Sequence, residues 1–153
     1  MPIIQVRYAT PNSAEEPTRA AIVAAVMKPT VDILGKKPTV TAVVADRIDP
    51  EAWFIAGRSL ADWNKASVFV EIRVTDGTNT KAEKEAFIAD VFDRMSRLLG
   101  PLHEESYIHV HDVRAEAYGY GGRTQEYRFI ADRIEQAERE TASLDAFRKF
   151  GIR

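Results

Sequence analysis

Cysteine is missing from this sequence altogether, which excludes disulfide bridges, zinc–thiolate centres and cysteine nucleophiles. No apolar run approaches the roughly 18 residues that a membrane span needs, so no membrane partner is expected. Surplus positive charge is absent as well: 21 Lys and Arg face 23 Asp and Glu, a formal charge of −2. With little to neutralise phosphates, nucleic acid is not expected as a partner either. The start, Met1-Pro2-Ile3-Ile4-Gln5-Val6-Arg7, has no basic segment followed by an apolar one, and the expected location is cytoplasmic. What is there is 153 residues, 45% hydrophobic and 29% charged. That size and balance suit one compact domain over residues 1–153 and exclude wholesale disorder.

The chain says nearly the same thing twice. Residues 3–8 read as a strand with Ile4, Val6 and Tyr8 on one face, because alternate side chains point the same way. Residues 68–74 repeat the pattern, with Val68, Val70, Ile72 and Val74 on one face and Phe69, Glu71, Arg73 and Thr75 on the other; Arg73 then corresponds to Arg7. Each strand feeds a helix opened by an S/T-x-x-E capping pattern, Ser13 with Glu16 and Thr80 with Glu83. Pro17 is expected in the first turn of the earlier helix, where proline is tolerated, and Pro29 to kink it.

The later helix carries the stripe Phe87, Ile88, Val91, Phe92, Met95, Leu98 and Leu99 and stops at Gly100. Stepping back 65 positions gives Ile22, Val23, Val26, Met27, Thr30, Ile33 and Leu34, stopping at Gly35. Second strands are expected at residues 40–44, extending to 48, and at residues 107–113. Each half then closes on an aromatic-glycine turn, Trp53-Phe54-Ile55-Ala56-Gly57 and Tyr118-Gly119-Tyr120-Gly121-Gly122. The fold class is α+β. Two fused β-α-β units, repeat 1 about residues 2–61 and repeat 2 about 66–122, form a four-stranded sheet with two helices on one face. The right-handed crossover makes the strands within each unit parallel.

Residues 124–150 read as a C-terminal helical extension outside the repeat. Ile130, Ile134, Ala137, Leu144 and Phe147 form its narrow apolar stripe, expected to dock on its own domain or a neighbouring subunit. The sheet face bearing Gln5, Arg7, Glu71, Arg73 and histidines is too polar for a dry core, so it meets water, a ligand or another subunit.

Pro2-Ile3-Ile4-Gln5-Val6, the duplicated β-α-β unit and the closing Gly119-Tyr120-Gly121-Gly122 together resemble the tautomerase superfamily. The likeness spans roughly residues 2–122 and is to a fused two-repeat relative of 4-oxalocrotonate tautomerase. It implies that Met1 is removed and that Pro2 becomes an N-terminal secondary amine acting as general acid and base. The chemistry is sound: an α-amino group titrates near ~7.7–8.0, and burial lowers that value, giving a neutral base at physiological pH. The implied activity is keto–enol tautomerisation of a small enol or 2-keto carboxylic acid, without metal or organic cofactor, by a homotrimer whose sheets face inward. Two alternatives stand beside it. One is a hydratase or dehalogenase of an unsaturated acid, using the same proline as an acid. The other is a non-catalytic binding protein on the same fold.

The arginines that bind substrate in the superfamily do not carry over. Asn12 and Thr78 stand where one follows the glycine after the first strand, and Thr75-Asp76-Gly77-Thr78 where relatives carry an arginine pair. Tyr107, or His109 with a shift of register, falls where an arginine lies on the final strand. A carboxylate wants a fixed planar cation. Arg73 is therefore the first candidate and Arg7 the second, with an ion pair to Glu71 as the alternative for either. Arg114 and Arg123 are more exposed choices. His109 is assigned to stabilising a developing oxyanion, and Tyr107 and Tyr118 to lining the substrate site. His109 and His111 share a strand face and, with Glu71 or Asp112, have the residue types of a metal site. Asp112 points the other way, though, and His103 lies in a loop, so no metal is expected.

Overall fold

The computed structural model describes residues 2–12 and 17–150. They form two compact units, one up to Val113 and one from Arg114 onward. The first unit runs β1 (Ile3–Ala9), α1 (Arg19–Asp32), β2 (Ala42–Arg47), a hairpin of β3 (Phe54–Ile55) and β4 (Arg58–Ser59), the short α2 (Leu60–Trp63), β5 (Ser67–Thr75), α3 (Lys81–Leu99) and β6 (Tyr107–Val113). β1, β2, β5 and β6 make one mixed sheet in the order β2-β1-β5-β6. Each outer pair is parallel and the central β1–β5 pair antiparallel. This is an α+β architecture in which two β-α-β units meet edge to edge through their first strands.

The core follows from the alternation. Ile4, Val6 and Tyr8 of β1 and Val68, Val70, Ile72 and Val74 of β5 are all buried to within 1%. They pack with Ile22, Val26, Phe87, Val91 and Met95 from the helices. Ile88, placed in the same stripe from its spacing, lies at the edge of that face and is exposed.

Helix α3 begins as its sequence predicts. The Thr80 hydroxyl accepts the Glu83 amide at 3.2 Å, and the Glu83 carboxylate accepts the Thr80 amide at 2.8 Å. Helix α1 does not. Ser13 and Glu16 lie outside the described residues, and the cap is Thr18, whose hydroxyl accepts the Ala21 amide at 3.2 Å. Thr18 has extended backbone, so Pro17 precedes the cap instead of sitting in the first turn. Pro29 stays inside a helix that continues to Asp32. The neighbouring Thr30 is buried because its hydroxyl is satisfied by the Val26 carbonyl at 2.7 Å.

The second unit holds the hairpin β7 (Gly119–Tyr120) and β8 (Arg123–Thr124) and the helix α4 (Gln125–Phe150). It extends the repeat beyond its expected end. The turns Ala56-Gly57 and Gly121-Gly122 both have positive φ at their two central residues, the backbone of a tight two-residue hairpin. The Leu60 amide bonds the Trp53 carbonyl at 2.9 Å, as the Gln125 amide bonds Tyr118 at 3.0 Å. Ser59 accepts from Asp62, as Thr124 accepts from Tyr127. The first turn of α4 is thus the counterpart of α2, and only its continuation is extra. Among the described residues no helix is long and apolar enough to cross a membrane.

Candidate active site

Register decides which polar residues meet on the open face of the sheet. Ile3 stands opposite Arg73, which stands opposite His111. The next row places Gln5, Glu71 and His109 side by side, and the one after it Arg7, Phe69 and Tyr107. Pro2 is buried at the head of β1, where its carbonyl accepts the Ala42 amide at 3.2 Å.

Strand geometry of about 3.3 Å per residue and 4.8 Å between strands then ranks the candidates by backbone distance from Pro2. Arg73 is about 6 Å away, His111 about 10 Å, His109 about 14 Å and Arg7 about 17 Å. Arg73 is the arginine brought to the proline. His111 is the nearer of the two histidines, so the residue assigned to oxyanion stabilisation is the more remote.

Arg73 is not held by Glu71. The Glu71 carboxylate meets the His111 ring, with 3.1 Å between Oε1 and Nε2. No ion pair joins Arg7 or Arg73 to a carboxylate among the described residues, so both guanidinium groups keep their donors for another partner. His109 packs edge-on against Phe69 and Tyr107, with ring centres 5.4 and 6.0 Å apart.

At the far end, Arg7 and Tyr107 line a cavity of about 710 Å³ with Trp53, Phe54, Phe69 and Glu105. The Tyr107 phenol donates to Glu105. That bond, reinforced by the charge of Glu105 and a little burial, raises the Tyr107 pKa above its usual value of 10.0. Two of the residues assigned to the substrate therefore share a pocket, but not with Pro2. Tyr118 belongs to the second unit, just ahead of β7. Its repeat counterpart Trp53 lines the cavity and was not among the sequence candidates. The signal was present: the 65-residue offset applied to Tyr118 lands on Trp53.

No protein-family model and no curated protein matches this sequence. Solved structures do. A crystal structure of native fused 4-OT aligns at a TM-score of 0.68 with 21% identity, covering 82% of this chain and 97% of that one. The chain has the fused 4-OT fold. A wild-type fused 4-OT symmetric trimer aligns at 0.66 with 17% identity, covering 81% of this chain and 96% of that one. A macrophage migration inhibitory factor homologue from Prochlorococcus marinus aligns at 0.62 with 18% identity, over 80% and 97%. Within it, Pro2 and Arg73 lie at one end of the sheet and the cavity at the other.

Proposed function

We propose that this chain is a keto–enol tautomerase for a small enol or 2-keto carboxylic acid, with the amine that Pro2 gains on loss of Met1 as proton carrier. The observation that carries the reading is Pro2, buried at the head of β1, with the unpartnered Arg73 directly across from Ile3. The Arg73 fork holds the substrate carboxylate through two parallel charge-assisted bonds. The neutral Pro2 nitrogen takes a proton from the enol hydroxyl or the α-carbon and returns it at the conjugated carbon. The negative charge that develops on oxygen meets a donor from β6, His111 before His109 by distance. Proton transfer of this kind needs no metal or organic cofactor. Copies assemble as a homotrimer with open faces inward, a reading supported by the trimeric fused 4-OT neighbour.

The cavity favours a second reading, a binding protein on the same fold. Arg7 with Trp53, Phe54 and Phe69 suits an aromatic or unsaturated acid, and it lies about 17 Å from Pro2 along the strand.

One experiment separates the two. Ketonisation of phenylenolpyruvate and 2-hydroxymuconate is followed by ultraviolet absorbance for wild type and Pro2→Ala, with intact mass establishing that Met1 is gone. Acceleration by the wild type that Pro2→Ala abolishes upholds the amine mechanism. No acceleration from Met1-free protein sinks it and leaves the binding reading.

A further inference from the structure

Two strands of the sheet converge three ligand-bearing side chains outside the Pro2–Arg73 pair. Glu71 on β5 and His109 opposite it on β6 are neighbours in register, and His111 lies two residues further along β6 on the same face. One ligand atom from each lies within 4.8 Å of the other two. We propose that Glu71, His109 and His111 bind one divalent transition-metal ion of the zinc, nickel or copper class.

The geometry is close to what an ion requires. With metal–nitrogen and metal–oxygen bonds of about 2.0–2.2 Å, neighbouring ligand atoms in a tetrahedral or octahedral shell lie about 2.9–3.5 Å apart. Glu71 and His111 already stand at 3.1 Å. The remaining separations close by rotamer adjustment of His109, which is exposed and free of hydrogen bonds to the protein in the described set. Two imidazoles and one carboxylate suit zinc, nickel, copper or ferrous iron and do not suit magnesium or calcium, which take oxygen ligands. Three protein ligands leave coordination positions open for water or a further ligand on this face of the sheet. Arg73, opposite His111, is the adjacent cation, and its repulsion weakens binding.

The repeat supplies an internal comparison. The first unit offers Gln5, Val44 and Asp46 at the places of Glu71, His109 and His111, since Gln5 pairs with Val44 as Glu71 pairs with His109. The same sheet is built there with a single carboxylate and no histidine. The fold therefore does not demand this trio.

The test uses the full chain, stripped by chelator, titrated with nickel(II) by calorimetry and with cobalt(II) by visible absorption. Wild type is expected to take one ion per chain at micromolar affinity, with the ligand-field bands of nitrogen-and-oxygen coordination, and to show no heat with magnesium(II). His111→Ala, His109→Ala and Glu71→Gln each weaken binding at least about tenfold, while His103→Ala and Pro2→Ala leave it unchanged. Zinc(II) raises the melting temperature of wild type, and the rise disappears in the three ligand variants if they melt normally without metal. Affinity weaker than millimolar, or equal affinity in wild type and ligand variants, overturns the site. Pro2→Ala keeps this result separate from the tautomerase reading, because it removes the amine and leaves the trio intact.

Discussion

Glu71 and Arg73 share one strand face, yet the carboxylate bonds His111 at 3.1 Å and leaves the guanidinium without an acidic partner. Half-exposed and uncommitted to the fold, Arg73 is available for a carboxylate ligand. Arg73→Ala is therefore expected to change unfolding free energy by no more than about 0.5 kcal/mol, as for a surface site. Its effect on ketonisation is larger. Losing a hydrogen bond to a charged group is worth about 1.5–3 kcal/mol, a fall in kcat/KM of about 10- to 150-fold. Urea unfolding and steady-state kinetics on the same preparation check both halves.

Tyr107 offers a spectroscopic handle on the cavity. Its phenol is held above the ordinary value by its bond to Glu105, so Glu105→Gln is expected to lower its apparent pKa toward 10. The absorbance of tyrosinate near 295 nm reports this, with Tyr107→Phe subtracting the other four tyrosines. The stability linkage has a definite sign: the folded state holds this proton more tightly than the unfolded chain. The contribution is whole below pH 10, disappears as pH rises through the folded value, and is absent in the variant.

Ala56 has φ of +50° in the turn between β3 and β4, where the second hairpin has Gly121. A side chain in left-handed backbone costs about 1–2 kcal/mol, partly offset by the smaller entropy it loses on folding. Ala56→Gly is expected to raise stability by about 0.5–1 kcal/mol, and Gly57→Ala to lower it. Thermal and urea melts decide the sign.

The capping box at α3 gives the fourth expectation. Thr80→Ala removes the acceptor for the Glu83 amide and costs about 1 kcal/mol. The amide of Thr80, then the side chain of Asn79, hold the Glu83 carboxyl below its usual value of 4.5. Its stabilisation is full above that pH and is lost as pH falls through the lower, folded value. Glu83→Gln should flatten this part of the acid limb in a pH series of urea midpoints.

How much of this was legible depended on the range of the interaction. The strand over residues 67–75 was visible because Val68, Val70, Ile72 and Val74 alternate with polar neighbours, and α3 because Thr80 and Glu83 bond within one turn. The start of α1 was misplaced because Ser13-x-x-Glu16 matches the same local pattern, while the cap that forms is Thr18. Membership of the open face followed from odd-numbered positions in β1 and β5. Which residues meet there did not, since the antiparallel register of β1 on β5 is set by the whole intervening unit. Arg7 and Arg73 occupy corresponding places in the two repeats, yet the register sends one to the cavity and the other to Pro2. The Glu71–His111 contact rests on a different register, the parallel one of β5 on β6, which is set by the α3 crossover between them.

The edge-to-edge joining of two β-α-β units has a stoichiometric consequence. A chain has a single amino terminus, so of the two strand heads only the one at Pro2 can bear a free amine; its counterpart Val68 is tied on both sides by peptide bonds. An amine can therefore stand at one strand head alone, although the row beside it is filled from the second repeat by Arg73 and His111. At matching places in the sheet the second repeat has Glu71, His109 and His111 where the first has Gln5, Val44 and Asp46. Two units alike in backbone thus differ in the side chains they carry on the open face.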